Sequence, residues 1–303
     1  MCPRTTEMTR KISNMEKAVF EKIAKQIKPH GRKEFDEWLS FVKNRLNLSP
    51  SDVGENPFYF FISSLAVTMH GFGEPLLDPL IVKRVEFLSK LGIPSYFSCN
   101  PSNARLDKIE KLFKAGLGFI KFSVDSLTLD GMKKIRGGHI DYSDDIKRIM
   151  QILDLKKKGG YKTTIVVCML KISKKQDEEA EQFQKLWKGK DVYSYVKSLD
   201  NQWYFKDEET EKAKSHYENQ YCEFPWTSLS VMADGTVVPC TQDFNCEMPM
   251  GNVNEQSLKE IWNSEKYEKF RMMHITGEFP KNFRCSKRCD LKTVHDFLKK
   301  DEE

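Results

Sequence analysis

Cysteines near the C-terminal end of the chain are spaced for soft-metal chemistry. Cys222 is followed by twelve residues, Gly235, four residues and Cys240, and Cys285 and Cys289 close the set three residues apart. Thiolates on a hairpin and a following loop can converge on one point, and four of them satisfy either a tetrahedral zinc ion or a cubane iron–sulfur cluster. Spacing alone does not separate the two. Packing is the plain alternative, since free cysteine is a common core residue, but Cys285 and Cys289 lie in FRCSKRCD, a charged stretch ill suited to a core. Cys2 stands alone in a Cys-Pro-Arg-Thr-Thr stretch. Cys99 and Cys168 fall inside apolar runs and read as core, and Cys246, in DFNCEMP, is a fifth candidate for four places.

The elements that must position such groups are set by periodicity. Val19, Ile23 and Ile27 recur four apart and predict a helix over 15–28; another is expected at 33–46. LAVTM, ending at Met69, reads as a buried strand running into the loop HGFGEPLLDP. Next in order come a helix at 79–91 stopped by Gly92, the strand PSYFSC, a helix from Asp107 to Ala115, the strand FIKFSVD, a loop carrying KKIRGG, a helix near 143–157, the strand TTIVVCML, a helix near 175–188 and a strand near 191–199. Strand–helix alternation with short connections predicts parallel α/β units, which put functional loops at the C-terminal ends of their strands. GFGEP, CNPSN and SVDS all fall at such ends. The character changes near 205–220, after which two strands flank Asp234–Gly235, a hairpin turn pair. A single amphipathic helix is expected over 257–274, with Leu258, Ile261, Trp262 and Phe270 on one side.

Composition limits the alternatives. The 303 residues carry 49 basic and 44 acidic side chains, a net charge of +5, and the lysines are mixed with acids as on solvated helix faces. No zinc-finger or helix-turn-helix spacing accompanies them, so no nucleic-acid partner is expected. No run approaches the roughly 20 apolar residues of a membrane span, and the start lacks a secretory apolar core; a cytoplasmic location is expected.

The runs CEFPWTSLSVMADGTVVPC, MGNVNEQSLKEIWN and CSKRCD resemble the C-terminal extension of radical S-adenosylmethionine (radical SAM) enzymes, the SPASM/Twitch group, in its shorter four-cysteine form. The resemblance implies that Cys222, Cys240, Cys285 and Cys289 hold an auxiliary [4Fe–4S] cluster; the family's last pair is often two residues apart rather than three. HGFGEPLLDP is similar to the family's Gly-Glu-Pro motif. Gly71 and Gly73 let backbone approach a ligand, and the resemblance implies that Gly73, Glu74 and Pro75 meet the methionine ammonium of S-adenosylmethionine. SVDS resembles the fourth-strand region that meets the cofactor's ribose and carboxylate, which nominates Ser123 and Asp125, two residues apart and so on one face of a strand. Arg136 matches an arginine expected near the methionine carboxylate. The plain alternatives are a strand-end turn residue for Asp125 and a surface charge for Arg136. Asn100 is what stands here of a Thr-Asn-Gly run, and His70 and His139 read as polar loop residues. The segment from Cys2 to Ile23 is similar to the stretch that begins at the third cysteine of the family's C-x3-C-x2-C motif. Cys2 is therefore the expected remnant of a core-cluster set, the chain being truncated relative to the family and lacking two of the three core-cluster cysteines, which leaves catalysis by the chain as given open.

The expected fold is α/β: a partial (β/α)6 TIM-like open barrel lacking its first strand, plus a small β-hairpin/helix Twitch domain. The expected domains are an incomplete radical SAM core at 1–205, the SPASM/Twitch domain at 216–295 and a tail at 296–303. The implied activity is that of an oxidoreductase or C–H-modifying enzyme. It generates a 5′-deoxyadenosyl radical from S-adenosylmethionine, draws electrons from a donor such as flavodoxin or ferredoxin, and acts on a small molecule or peptide. An auxiliary cluster with four cysteine ligands has no open iron, which favours electron transfer or structural support. The alternative is a non-catalytic iron–sulfur or zinc-binding scaffold or interaction protein.

Overall fold

The computed structural model describes residues 4, 7–48, 56–137, 144–171, 174–198, 221–281, 283–287, 289, 291–300 and 302; Cys2, His139 and the expected boundary region at 205–220 lie outside these. Two helices open the described chain, α1 (Lys17–Ala24) and α2 (Arg32–Leu46). Residues 56–198 then form one compact unit, and residues 4–48 with 221–302 form a second.

The first unit is organised by strands whose alternating side chains must be covered on both faces. β1 (Val67–Thr68), β2 (Ser95–Cys99), β3 (Phe119–Ser123), β4 (Thr164–Lys171) and β5 (Tyr193–Ser198) form a five-stranded sheet in sequential order, and every neighbouring pair is parallel. Parallel neighbours need crossovers, supplied here by α4 (Ile81–Lys90), α5 (Leu106–Lys114), α6 (Leu129–Arg136), α7 (Asp145–Gly159) and α8 (Asp177–Trp187), while α3 (Asn56–Phe61) precedes β1. Phe97, Ile120, Phe122, Ile165, Val167 and Met169 share one core with Ile81, Val85, Ile109, Leu112, Ile149, Ile152, Phe183 and Trp187 from the helices. Tyr96, Val166, Cys168 and Tyr195 occupy the opposite face and pack on Phe58 and Ile62. This sequential parallel wall with helical crossovers is the expected open-barrel α/β architecture, and Cys99 and Cys168 are core residues on its two faces.

The α6 helix was not expected. The stretch carrying KKIRGG is helical as α6 because the Thr128 hydroxyl accepts from the Gly131 amide at 3.1 Å and caps the helix, while Gly137 (φ 90°) ends it.

In the second unit, β6 (Ser230–Val231), β7 (Thr236–Val238) and β8 (Gly251–Asn252) form an antiparallel sheet in that order. Asp234 and Gly235 make the expected turn: Gly235 adopts φ 88°, and the Asp234 carboxylate accepts from the Thr236 amide at 3.0 Å. Around this sheet lie α9 (Phe224–Thr227), α10 (Leu258–Trp262), α11 (Glu265–Thr276), α12 (Arg284–Lys287) and α13 (Val294–Lys300). The helix expected over 257–274 is thus two helices. Ser257 and Glu260 form a capping box that starts α10, and the Ser264 hydroxyl accepts from the Tyr267 amide to start α11 afresh. The expected apolar side survives the break: Ile261 and Phe270 are buried, with Leu258 and Trp262 packed against them.

Residues 4–48, expected on the barrel's side of the boundary, group with this second unit. Val19 and Ile23 of α1 pack against the core formed by Val237, Met250, Val253, Ile261 and Phe270. The segment before α1 is tied down as well. The Thr9 amide donates to Asn245 Oδ1 at 2.9 Å, Asn245 Nδ2 donates to the Glu7 carbonyl at 2.9 Å, and Arg10 Nε donates to the Phe244 carbonyl at 2.8 Å. Among the described residues no helix is long and apolar enough to cross a membrane.

Candidate functional site

At the carboxyl ends of β1 to β3 the loops of the first unit are cross-linked by polar side chains. Glu74 is the central link. Its carboxylate accepts from the Leu76 amide at 3.1 Å within its own loop and from the Asn100 amide at 2.9 Å in the loop after β2. Both oxygens are therefore engaged by backbone, and Glu74 fixes the shape of its loop. Burial raises the Glu74 pKa; the Asn100 and Leu76 amides, the Asn103 side chain and the Arg136 charge oppose that rise. Pro75 is buried at the first position of a 3-10 turn (Pro75–Leu77) and stiffens it. Where a Cβ would stand on Gly71 or Gly73 there is open space, so backbone on that side of the loop is accessible.

Asp125 lies just beyond β3, 5% exposed, in an ion pair with Arg136 near the end of α6. The Arg136 charge reaches both Glu74 and the buried Cys99 thiol, so the ends of three neighbouring strands converge. The Ser123 hydroxyl lies 3.2 Å from the Ser98 hydroxyl on the adjoining strand. His70 Nδ1 accepts from the Ser98 amide at 3.2 Å, and burial together with the Lys121 charge holds its pKa down to about 3; the neutral ring extends the β1–β2 ladder by one side-chain bond. The Asn100 side chain accepts from the Ser102 amide and caps a short turn.

Two supporting residues were not anticipated. The Glu179 carboxylate on α8 accepts from the Ser126 hydroxyl and the Leu127 amide, both at 2.5 Å, and so holds the loop that carries Asp125. Asp145 on α7 accepts from the Ser102 hydroxyl at 2.6 Å. Both contacts join residues more than forty positions apart, and no local motif announces them.

The second unit carries the thiol set. Cys222 sits just before α9, Cys240 just after β7, Cys285 in α12 and Cys289 just past it. Burial raises the thiol pKa of Cys222, Cys240 and Cys285, that of Cys240 to about 12, and each is raised further by charge on other members of the set. The four are thus electrostatic neighbours. Burial also raises the Cys246 thiol pKa, opposed by Arg10 and reinforced by Asp243 and Asp234. The Gln242 amide donates to Cys240 Sγ at 3.4 Å, and Arg284 is held by Glu247 at 2.7 Å and the Gln242 carbonyl at 2.8 Å. Buried thiols gathered beside one another deprotonate only when a cation compensates them, so this donor set fits an iron–sulfur cluster. Among the described residues no three His, Cys, Asp or Glu side chains surround a single metal ion.

Comparison with known proteins agrees with both halves. Residues 60–186 match the family model of the radical SAM superfamily, and residues 222–290 match that of SPASM, an iron–sulfur cluster-binding domain. The chain belongs to the radical SAM superfamily. Cofactors of its two matched domains are [4Fe–4S] clusters and S-adenosylmethionine. The chain is 39% identical over 76 residues to the S-adenosyl-L-methionine-dependent 2-deoxy-scyllo-inosamine dehydrogenase of Niallia circulans, a match covering 25% of this chain and 30% of that protein. To the tungsten-containing aldehyde ferredoxin oxidoreductase cofactor-modifying protein of Pyrococcus furiosus it is 24% identical over 278 residues, 76% of this chain and 74% of the relative. Among solved radical SAM structures, anSMEcpe with bound AdoMet shares the fold with a TM-score of 0.54 at 13% identity, over 98% of this chain and 85% of that one. BtrN in complex with AdoMet and 2-DOIA shares it with a TM-score of 0.50 at 16% identity, over 95% and 90%.

Proposed function

We propose that this chain is built for radical SAM oxidation of a C–H bond in a small molecule, with an auxiliary [4Fe–4S] cluster held by Cys222, Cys240, Cys285 and Cys289. The radical step needs a core cluster, for which Cys2 is the one ligand expected in this sequence; where such a reduced cluster and S-adenosylmethionine are bound, they would supply the 5′-deoxyadenosyl radical that removes a substrate hydrogen. The protein's own contribution is orientation. The observation that carries the reading is the convergence of Glu74, Asn100, Asp125 and Arg136 at the ends of three adjacent parallel strands.

In this reading Glu74 holds the Gly71–Gly73 backbone in the shape that receives the methionine ammonium, rather than accepting from it directly. In the same reading Arg136, ion-paired with Asp125, is the cation that faces the methionine carboxylate, and Ser123 lies two residues before Asp125, toward the ribose. The small-molecule class is supported by the dehydrogenase relative, whose name gives 2-deoxy-scyllo-inosamine as its substrate. A chain-external electron donor such as flavodoxin or ferredoxin is part of the proposal.

Anaerobic reconstitution tests it. About four irons per chain mark one [4Fe–4S] cluster and about eight mark two, and release of 5′-deoxyadenosine from S-adenosylmethionine marks the radical step. Zinc without iron in the purified protein refutes the cluster assignment.

A further inference from the structure

One side chain joins two segments of the thiol set. Arg284 stands immediately before Cys285 in α12 and is 6% exposed. Its guanidinium reaches back to the loop that follows Cys240. Nη1 donates to the Gln242 carbonyl at 2.8 Å, while Nε and Nη2 grip the two Glu247 carboxylate oxygens at 3.1 and 2.7 Å. Its Cζ also lies 4.9 Å from the centroid of the Phe244 ring. The gripped loop is closed from within: the Asp243 carboxylate, 0% exposed, accepts from the Glu247 and Met248 amides at 2.8 Å each. At the start of that loop the Gln242 amide donates to Cys240 Sγ at 3.4 Å. The third bond of the Arg284 fork therefore falls on the residue whose amide meets a ligand sulfur. Planar, two-pronged recognition of a carboxylate fixes orientation as well as distance, and a lysine cannot reproduce it.

We propose that Arg284 is a positioning residue for the auxiliary cluster: it clamps the Cys240 loop to the Cys285 segment and keeps the Gln242 amide on the Cys240 sulfur. The proposal rests on the reading that the four thiols hold a [4Fe–4S] cluster. Arg284 acts through Gln242 and Cys285 rather than on the metal, and two consequences follow. Groups that orient a metal ligand are typically worth about 10–100-fold in metal affinity, so the clamp should slow iron loss. One-electron reduction adds negative charge to a cluster, and a donor to its sulfur stabilises the reduced form more than the oxidised form. Loosening the Gln242 amide should therefore lower the midpoint potential.

The experiment uses the full chain, reconstituted anaerobically, as parent, Arg284→Lys, Glu247→Gln and Ile261→Val. Iron release to a chelator is timed. Midpoint potentials are measured by mediated dithionite titration followed by electron paramagnetic resonance, and the signal missing from Cys240→Ala identifies the auxiliary cluster. Arg284→Lys keeps the charge but cannot fork to Glu247 and Gln242 together. It is expected to release iron about tenfold faster or more and to shift the midpoint to a more negative value. Glu247→Gln changes a side chain that is 48% exposed; it is expected to show both changes to a lesser degree, and it keeps the test open if Arg284→Lys does not fold. Ile261→Val trims a core side chain of α10 and leaves the loop's hydrogen bonds in place, so it is expected to lower thermal stability and match the parent in both readings. Parent-like iron release or midpoint in Glu247→Gln and in folded Arg284→Lys overturns the proposal, as do equal changes in Ile261→Val. A parent protein that takes up no iron overturns the cluster reading itself, and with it the proposal.

Discussion

His274 should make the second unit acid-sensitive, and replacing it with phenylalanine should remove that sensitivity. The residue is 1% exposed on α11, and neither ring nitrogen has a hydrogen-bond partner among the described residues. Phe270, Phe279 and Trp226 surround it edge-on, with centroids 4.9, 5.2 and 6.2 Å away. Burial lowers its pKa from 6.5 to about 4. The unfolded chain therefore takes up a proton near pH 6.5, where the folded chain does not. The stability is fully present above that value and is lost as pH falls toward the folded pKa. At about 1.4 kcal/mol per pK unit, acidification from neutral pH to about pH 4.5 should cost the parent roughly 2.5 kcal/mol through this residue alone. His274→Phe keeps the edge-on aromatic contacts and titrates nowhere in the window. Urea unfolding followed by circular dichroism, at both pH values and for both proteins, gives a double difference in which every other group cancels, His70 included. Equal acid losses in parent and variant would show that His274 is not held neutral in this aromatic cage.

Three further outcomes are expected from the same geometry. Glu74→Gln exchanges one of two carboxylate acceptors for a donor facing a backbone amide; with hydrogen bonds to a charged group worth about 1.5–3 kcal/mol, S-adenosylmethionine affinity in equilibrium dialysis should fall about tenfold or more, and unchanged affinity would remove Glu74 from the binding loop. Cys240→Ala should lose about four irons per chain and speed hydrogen exchange across residues 222–290; unchanged metal content would refute the ligand assignment. Glu179→Ala strips the acceptor from Ser126 and Leu127, so the Leu127 amide should exchange faster at a cost of about 1–2 kcal/mol; a Leu127 amide as slow as in the parent would mean the loop holds itself.

The strand run 163–170 was legible because burial on both faces leaves nearly continuous apolar sequence, and 94–99 and 119–125 as short runs after the helix stops Gly92 and Gly116; β2 and β3 lie within theirs, with β4 extending one residue beyond. The α6 helix was not, because Gly131 and the lysine run masked a helix set by one Thr128 cap. The break between α10 and α11 was missed for a related reason. Ser264 reads as a polar position on a helix face, and only its bond to the Tyr267 amide marks a new start. At the candidate site, motifs alone singled out Glu74, Asp125 and Arg136, but not the partners of Glu74. An acceptor for a ligand and an acceptor for a distant backbone amide look alike until Asn100 is placed beside it.

The sequence by itself determined the family, the parallel order of strands and helices, and a cysteine set spaced for a soft-metal centre, since each is written in local pattern and spacing. Tertiary structure decided what spacing cannot hold. It brought Arg136 within electrostatic reach of Glu74 and Cys99, set Glu179 under the Asp125 loop, joined the N-terminal helix to the thiol-bearing unit, and left the hydroxyl of Tyr267 buried without a partner among the described residues. These are contacts between residues far apart in the chain, made by packing, and no local periodicity encodes them.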